Sequence, residues 1–310
     1  MAVSLIYDPL YLKHDTGVHP ENARRLDAIL RAIESDESLS KRLLRVTPKP
    51  AHNEDIVRCH REELVYHLES LCVRGESYVD VDTRISPESF QVAKLAAGAA
   101  TAAIDAVMSQ EGGRAFGVIR PPGHHATITN AMGFCLFNNA AIGARYAQAR
   151  YGVERVLIID WDVHHGNGTQ DIFWNDPTVF YFSTHQYPYY PGTGAADERG
   201  GGKGEGTTLN VPLPMGTSAR EHRQAFTDAM HQIARRFPPD LVIVSAGFDS
   251  RRGDPLGGLM LEDPDFAEMT KEVLRIAEKS AAGRVVGLLE GGYNLDLLGG
   301  SVRSHVSALI

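Results

Sequence analysis

The sequence predicts an α/β protein: one central, mostly parallel sheet with helices on both faces. Three observations carry this. Short apolar runs alternate with helix-period segments along all 310 residues. Several of those runs are apolar at consecutive positions, as strands covered on two sides are. Polar clusters follow four of the runs directly, and a doubly wound sheet holds its ligand beyond the carboxyl ends of its strands. No repeat or Pro/Ser-rich linker divides the chain, so residues 1–310 read as one domain.

In chain order, the expected inner strands are VSLIY (3–7), AFGVI (115–119), RVLIID (155–160), VFYFS (179–183), LVIVSA (241–246) and RVVGLLE (284–290). The helix read over 86–108 opens with Ser86 as N-cap, Pro87 in the first helical position and Glu88 near the positive end of the dipole. Its Ala-rich window, interrupted by Asp105, is too little for a membrane span. Ser218 and Glu221 form a capping box for the helix of 218–237. A further helix starts at Asp263–Pro264 and ends at Gly283, a C′ residue free to turn left-handed. The glycine-rich stretch 199–208 is not a phosphate loop, because Gly204 follows Lys203 where Ser or Thr is needed; it reads as a flexible surface loop.

A hydrophobic fraction of 43% and 30 glycines suit a globular enzyme and remove disordered and collagen-like classes. The net charge of −8 argues against direct nucleic-acid contact. Three cysteines (Cys59, Cys72, Cys135) without a C-x-x-C spacing suit a reducing compartment. The start MAVSLIYDPL lacks a basic n-region. The expectation is a cytoplasmic protein without membrane contact.

The four polar clusters hold the chemistry. RPPGHH follows AFGVI, DWDVHHGNG follows RVLII, Asp249 follows LVIVSAGF, and GGYN follows RVVGLLE. Asp162, His164 and Asp249 offer two carboxylates and one imidazole. Three protein ligands leave a position open for water or substrate, as in catalytic zinc sites, and donors without thiolate also admit Fe(II), Co(II) or Mn(II). Of His124 and His125, one reads as general base and the other as electrostatic partner, since an acidified water needs an acceptor near neutrality. Asp160, deeper in the strand than Asp162, is placed to orient one of them. Tyr293 offers a phenol to a developing oxyanion. Together these residues describe amide or ester hydrolysis.

RPPGHHA, GFCLFNNAAIGA, DWDVHHGNGTQDIF, YYPGTG, LNVPLP, SAGFDSRRGDPLGG and LEGGYN resemble the zinc-dependent histone deacetylase superfamily, nearest its class II-like bacterial histone deacetylases and acetylpolyamine amidohydrolases. The resemblance runs from about residue 19 through Asn294, in the family's order. It implies an arginase/deacetylase-like fold, with Asp162, His164 and Asp249 as zinc ligands. It also implies His125 as general base, His124 as its partner oriented by Asp160, and Tyr293 as the carbonyl-polarising residue. Some branches carry histidine at that last position and deacetylate poorly. Asn167 stands where class I members have a second carboxylate. Gly133, Phe134 and Tyr190 match the walls around an acyl-lysine stem, and Asp82 corresponds to a rim carboxylate. A structural potassium ion is implied at Asp160, Asp162, His164, Ser183 and Thr184, mainly through main-chain carbonyls. Leu256 stands where a related polyamine deacetylase carries glutamate, which leans towards acetyl-lysine. His14 and His19 read as capping or rim residues.

The expected activity is therefore removal of acetyl groups from the ε-amine of lysine in peptides or proteins. An acetylpolyamine or other small-amide deacetylase has the same chemistry and differs by rate on acetylputrescine. A silent binder of acyl-lysine would bind without hydrolysis. An arginase-like dinuclear enzyme wants Asp-x-Asp where this chain has only Asp249. Homo-oligomerisation stays open.

Overall fold

The computed structural model describes residues 2–109 and 113–310. Its strands are β1 (Val3–Ile6), β2 (Leu43–Val46), β3 (Arg114–Gly117), β4 (Val156–Asp160), β5 (Val179–Gln186), β6 (Thr208–Leu213), β7 (Leu241–Ala246) and β8 (Val285–Leu289). They form one sheet in the order β2-β1-β3-β8-β7-β4-β5-β6, and every pairing is parallel. All six expected strands are present, with bounds shifted by up to three residues. The two edge strands were not expected, and each has a physical reason. β2 is only partly buried and carries Arg45. β6 contains Asn210 and Pro212, and proline is tolerated in a sheet at an edge where its missing N–H has no partner to lose.

The helices are α1 (Arg24–Glu34), α2 (Glu37–Ser40), α3 (Asn53–Ile56), α4 (Glu62–Val73), α5 (Ser89–Met108), α6 (Asn139–Tyr151), α7 (Asn167–Phe173), α8 (Ala219–Arg236), α9 (Asp263–Ser280) and α10 (Leu295–Ala308). α5 and α6 pack together on one face of the sheet, while α1, α10, α9 and α8 form a continuous layer on the other. β7 touches both layers and is buried at every position. That is why its sequence, Ser245 apart, is a continuous apolar run instead of alternating.

Three local expectations change. Ser86 does not cap α5. It closes a preceding turn, with its N–H donating to Ser89 Oγ at 2.7 Å, and the helix begins at Ser89. α9 is capped one residue earlier than expected, by a Glu262–Asp265 capping box. The stretch 199–208 is held, not loose: Gly201 N–H donates to the Trp174 carbonyl at 2.8 Å, and Thr208 enters β6. α5 is long and apolar enough to cross a membrane by length and composition, yet 67% of its apolar window is buried inside the protein, as in a core helix.

Candidate active site

Four neighbouring strands at the sheet centre, β3, β8, β7 and β4, release their chains on the same edge. β3 leads to His124 and His125, β4 to Asp160, Asp162 and His164, β7 to Asp249, and β8 to Tyr293. The edge is fixed by parallel pairing, so residues 169 positions apart (His124 and Tyr293) converge without any local sequence signal.

One ligand atom from each of Asp162, His164 and Asp249 falls within 4.8 Å of the others. His164 Nδ1 lies 3.1 Å from Asp162 Oδ1 and 3.3 Å from Asp249 Oδ2. Main-chain amides orient the carboxylates: Gly291 N–H donates to Asp162 Oδ2 and Val163 N–H to Asp249 Oδ1, both at 2.8 Å. Asp249 Oδ2 is buried without a hydrogen bond, which costs free energy unless a cation takes its lone pairs. Burial, then the nearby Asp162 charge, lifts the Asp249 carboxyl to about 7. Close approach of the main chain needs glycine here: a Cβ at Gly291 would stand 2.1 Å from Asp249 Oδ2. These residues fit a divalent cation, with hard and borderline donors suited to Zn(II), Fe(II) or Co(II).

The two histidines differ in environment. His124 Nδ1 faces Asp160 Oδ2 at 3.0 Å. Burial pulls its pKa down, but Asp162 and Asp160 outweigh that and hold it well above the ordinary value. His125 Nδ1 meets Oδ1 of the Asn167 side chain at 2.8 Å, so Nδ1 donates and Nε2 keeps its lone pair. Burial, with charge on His124 and His164, pushes His125 well below its usual range. One imidazole is thus held charged and the other neutral, the separation of roles expected of an acid–base pair.

A pocket of about 200 Å³ descends to this cluster, lined by Asp82, His125, Gly133, Phe134, His164, Tyr189, Tyr190, Leu256 and Tyr293. The Phe134 ring meets Tyr293 edge-on at 5.9 Å, and Tyr190 meets His125 edge-on at 5.1 Å. Asp82 is half-buried at the rim; burial first, then Asp80, raises its carboxyl. His19 stands edge-on to Phe134 and bonds the Asp82 carbonyl, behind the wall, whereas His14 is buried against Ser89. Asp160 and Ser183 are register partners on β4 and β5, and Thr184 follows on the same strand. The structure therefore brings every candidate residue to one edge.

Sequence reasoning missed four contributors. Tyr189 stacks on His164 at 5.5 Å and 16°. Glu290 and Asp254 are buried carboxylates bonded to the main chain of the site turns. Arg25 donates to the Gly292 carbonyl at 2.6 Å and lies 4.9 Å from the Tyr293 ring centre. For Glu290 the available signal was a carboxylate directly after an apolar run (Leu288–Leu289); Asp254, in SRRGDPLGG, carried no such signal.

The histone deacetylase domain profile matches residues 19–309. The chain is 41% identical to a probable deacetylase of Archaeoglobus fulgidus, covering 96% of this chain and 82% of that one. It is 40% identical to a histone deacetylase-like amidohydrolase of Pseudomonas aeruginosa, covering 89% and 72%. The crystal structure of the HDA15 HD domain superposes with a TM-score of 0.93 at 36% identity, covering 100% of this chain and 89% of that one. Fold and site define a hydrolase class that acts on amides through a strand-end crevice. This chain belongs to the histone deacetylase family, and its fold is the arginase/deacetylase fold.

Proposed function

We propose that the 310 residues work as one zinc-dependent deacetylase domain that removes acetyl groups from the ε-amine of lysine in peptides or proteins. The observation that carries this reading is the narrow pocket walled by Phe134 and Tyr190, with Leu256 at its mouth and the Asp162–His164–Asp249 cluster at its floor. An aliphatic lysine stem gains apolar burial between two aromatic rings.

Asp162, His164 and Asp249 would hold a divalent cation, which would supply Lewis acidity and lower the pKa of a water. His125 Nε2 accepts the proton of the attacking water, while Asn167 fixes the ring through Nδ1. His124, kept charged by Asp162 and Asp160, stabilises the negative charge that develops, and His125 passes the proton it took from water to the departing amine. The Tyr293 hydroxyl donates to the carbonyl oxygen as it becomes tetrahedral. A structural potassium ion is assigned to Asp160, Asp162, His164, Ser183 and Thr184. The buried, unpaired cysteines suit a reducing, cytoplasmic setting.

One observation favours a second reading, a deacetylase of small acetylated amines: Asp82, beside Asp80, gives the mouth a carboxylate that a polyamine ammonium could meet. Rates on an acetyl-lysine peptide and on acetylputrescine, each with Zn(II)-loaded protein, decide. The peptide should be turned over faster, chelation should abolish turnover, and Tyr293→Phe should cut kcat by about 10²–10³-fold. Faster acetylputrescine hydrolysis would move the assignment to small amines, and peptide binding without turnover would reduce the protein to a binder.

A further inference from the structure

Two buried carboxylates take no part in the chemistry above, yet both bond to the main chain that carries it. Asp254 is 7% exposed and lies in the loop between β7 and α9. Its Oδ2 accepts from Tyr293 N–H at 2.7 Å and Asn294 N–H at 3.2 Å, and its Oδ1 accepts from Leu256 N–H at 2.9 Å. Glu290 is fully buried at the end of β8. Its Oε2 accepts from Gly123 N–H at 2.6 Å and His124 N–H at 3.1 Å, and its Oε1 accepts from the Ser245 hydroxyl at 3.0 Å.

Among the described residues neither carboxylate forms a direct ion pair with Lys or Arg; the positive charges that act on them are those of His124 on Glu290 and of Arg25 on Asp254. Each takes main-chain amides of a site turn that other contacts also hold: Gly291 N–H donates to Asp162, Arg25 holds the Gly292 carbonyl, and the His124 carbonyl accepts from Gly168 and Thr169. Tyr293 follows Gly291 and Gly292, the second at φ 120°, and no hydrogen bond from its own hydroxyl anchors the ring. His124 follows Gly123, whose amide is one of the two bound by Glu290. Buried amides bound by a carboxylate make strong, short hydrogen bonds, and their loss would free the turn in a site that tolerates little displacement.

We infer that Asp254 and Glu290 are positioning residues: Asp254 sets the main chain of Tyr293 together with that of Leu256 at the pocket mouth, and Glu290 sets the turn of the tandem histidines. The inference rests on the deacetylase reading for its kinetic consequence, but not for its structural one.

Hydrogen-bonding capacity gives the two sites different substitution rules. Glutamine at 290 keeps one oxygen for both amides and turns its NH₂ towards Ser245, whose hydroxyl can accept as well as donate. Asparagine at 254 keeps one oxygen where three amides approach from two sides, so its NH₂ must face a donor.

The experiment combines kinetics on an acetyl-lysine peptide with amide hydrogen exchange of the intact protein. Glu290→Gln should keep kcat within about threefold of wild type while Glu290→Ala loses about 10²-fold, with KM little changed in both. Asp254→Asn should fall with Asp254→Ala, by about 10²-fold in kcat, and should lose little further when added to Tyr293→Phe, because it acts through that residue. In the Asp254 variants, exchange at Tyr293 and Asn294 should rise while protection in β7 and β8 persists. Equal kcat losses for Glu290→Gln and Glu290→Ala would overturn the assignment of Glu290. Full additivity of Asp254→Ala with Tyr293→Phe, or unchanged exchange at Tyr293, would overturn that of Asp254. A wild-type protein inactive on the peptide defeats the deacetylase reading alone, and the exchange comparison still decides the positioning roles.

Discussion

At the scale of single residues, the site is built by close approach. Gly133 shows this most sharply. Its φ of 56° is left-handed, and a Cβ there would stand 2.5 Å from His125 Cδ2 and 2.9 Å from the Tyr190 hydroxyl. Gly133→Ala must displace the base, the aromatic wall or the loop. We expect a loss of about 1–2 kcal/mol in stability from the backbone conformation alone, together with a kcat fall of about 10²-fold from the displaced His125. A thermal melt and peptide kinetics check both; wild-type kcat would mean that the ring has room the geometry denies. Gly133 was legible in the sequence only through the family resemblance, because no spacing says that a side chain 8 positions earlier packs against it.

At the scale of elements, local chemistry acts where the sequence shows it. Ser218 accepts from Glu221 N–H, and the Glu221 carboxylate bonds back to Ser218, so the capping box read from the sequence is the one that forms. Ser218→Ala should lower stability by about 1 kcal/mol without changing kcat, since α8 packs on α9 and β6, away from the pocket. A shift in urea midpoint with unaltered kinetics supports this, and a kinetic change would place α8 closer to the site than its contacts allow. The misread cap at Ser86 has the opposite lesson. Ser89 takes the Ser86 amide and also faces His14 at 2.6 Å, so contacts from a distant segment fix where the helix starts. The edge strands escaped notice for the same reason: half-exposed strands carrying Arg45, Asn210 or Pro212 look like loops until a neighbour is present.

At the scale of the whole molecule, the sheet and the two helical layers bury polar groups far from the pocket. His305 of α10 lies among Phe116, Trp161 and Phe248 and bonds Thr270 at 2.7 Å. Burial lowers its pKa to about 3. An unfolded histidine titrates near 6.5, so below that pH the unfolded chain binds a proton that the folded one refuses. The stability His305 contributes is therefore complete above about pH 6.5 and falls as the solution is acidified towards 3. Relative to His305→Gln, wild type should lose about 1.4 kcal/mol of its advantage between pH 7.5 and 5.5. Urea unfolding of both proteins at the two pH values measures this; parallel behaviour would show that His305 takes up a proton in the folded state.

The sequence by itself determined the six inner strands and three of the helices between them, the apolar character of several of those strands, and the identity of the ligand and acid–base candidates. Those are properties of short segments: hydrophobic period, cap chemistry and donor type. Only the tertiary structure decided which strands are neighbours and which carboxylates hold the site turns in place. Asp254 lies 39 positions from Tyr293, and Glu290 lies 166 from His124. Such pairs meet because parallel strands place their ends on one edge, a consequence of the assembled sheet that no local window of residues contains.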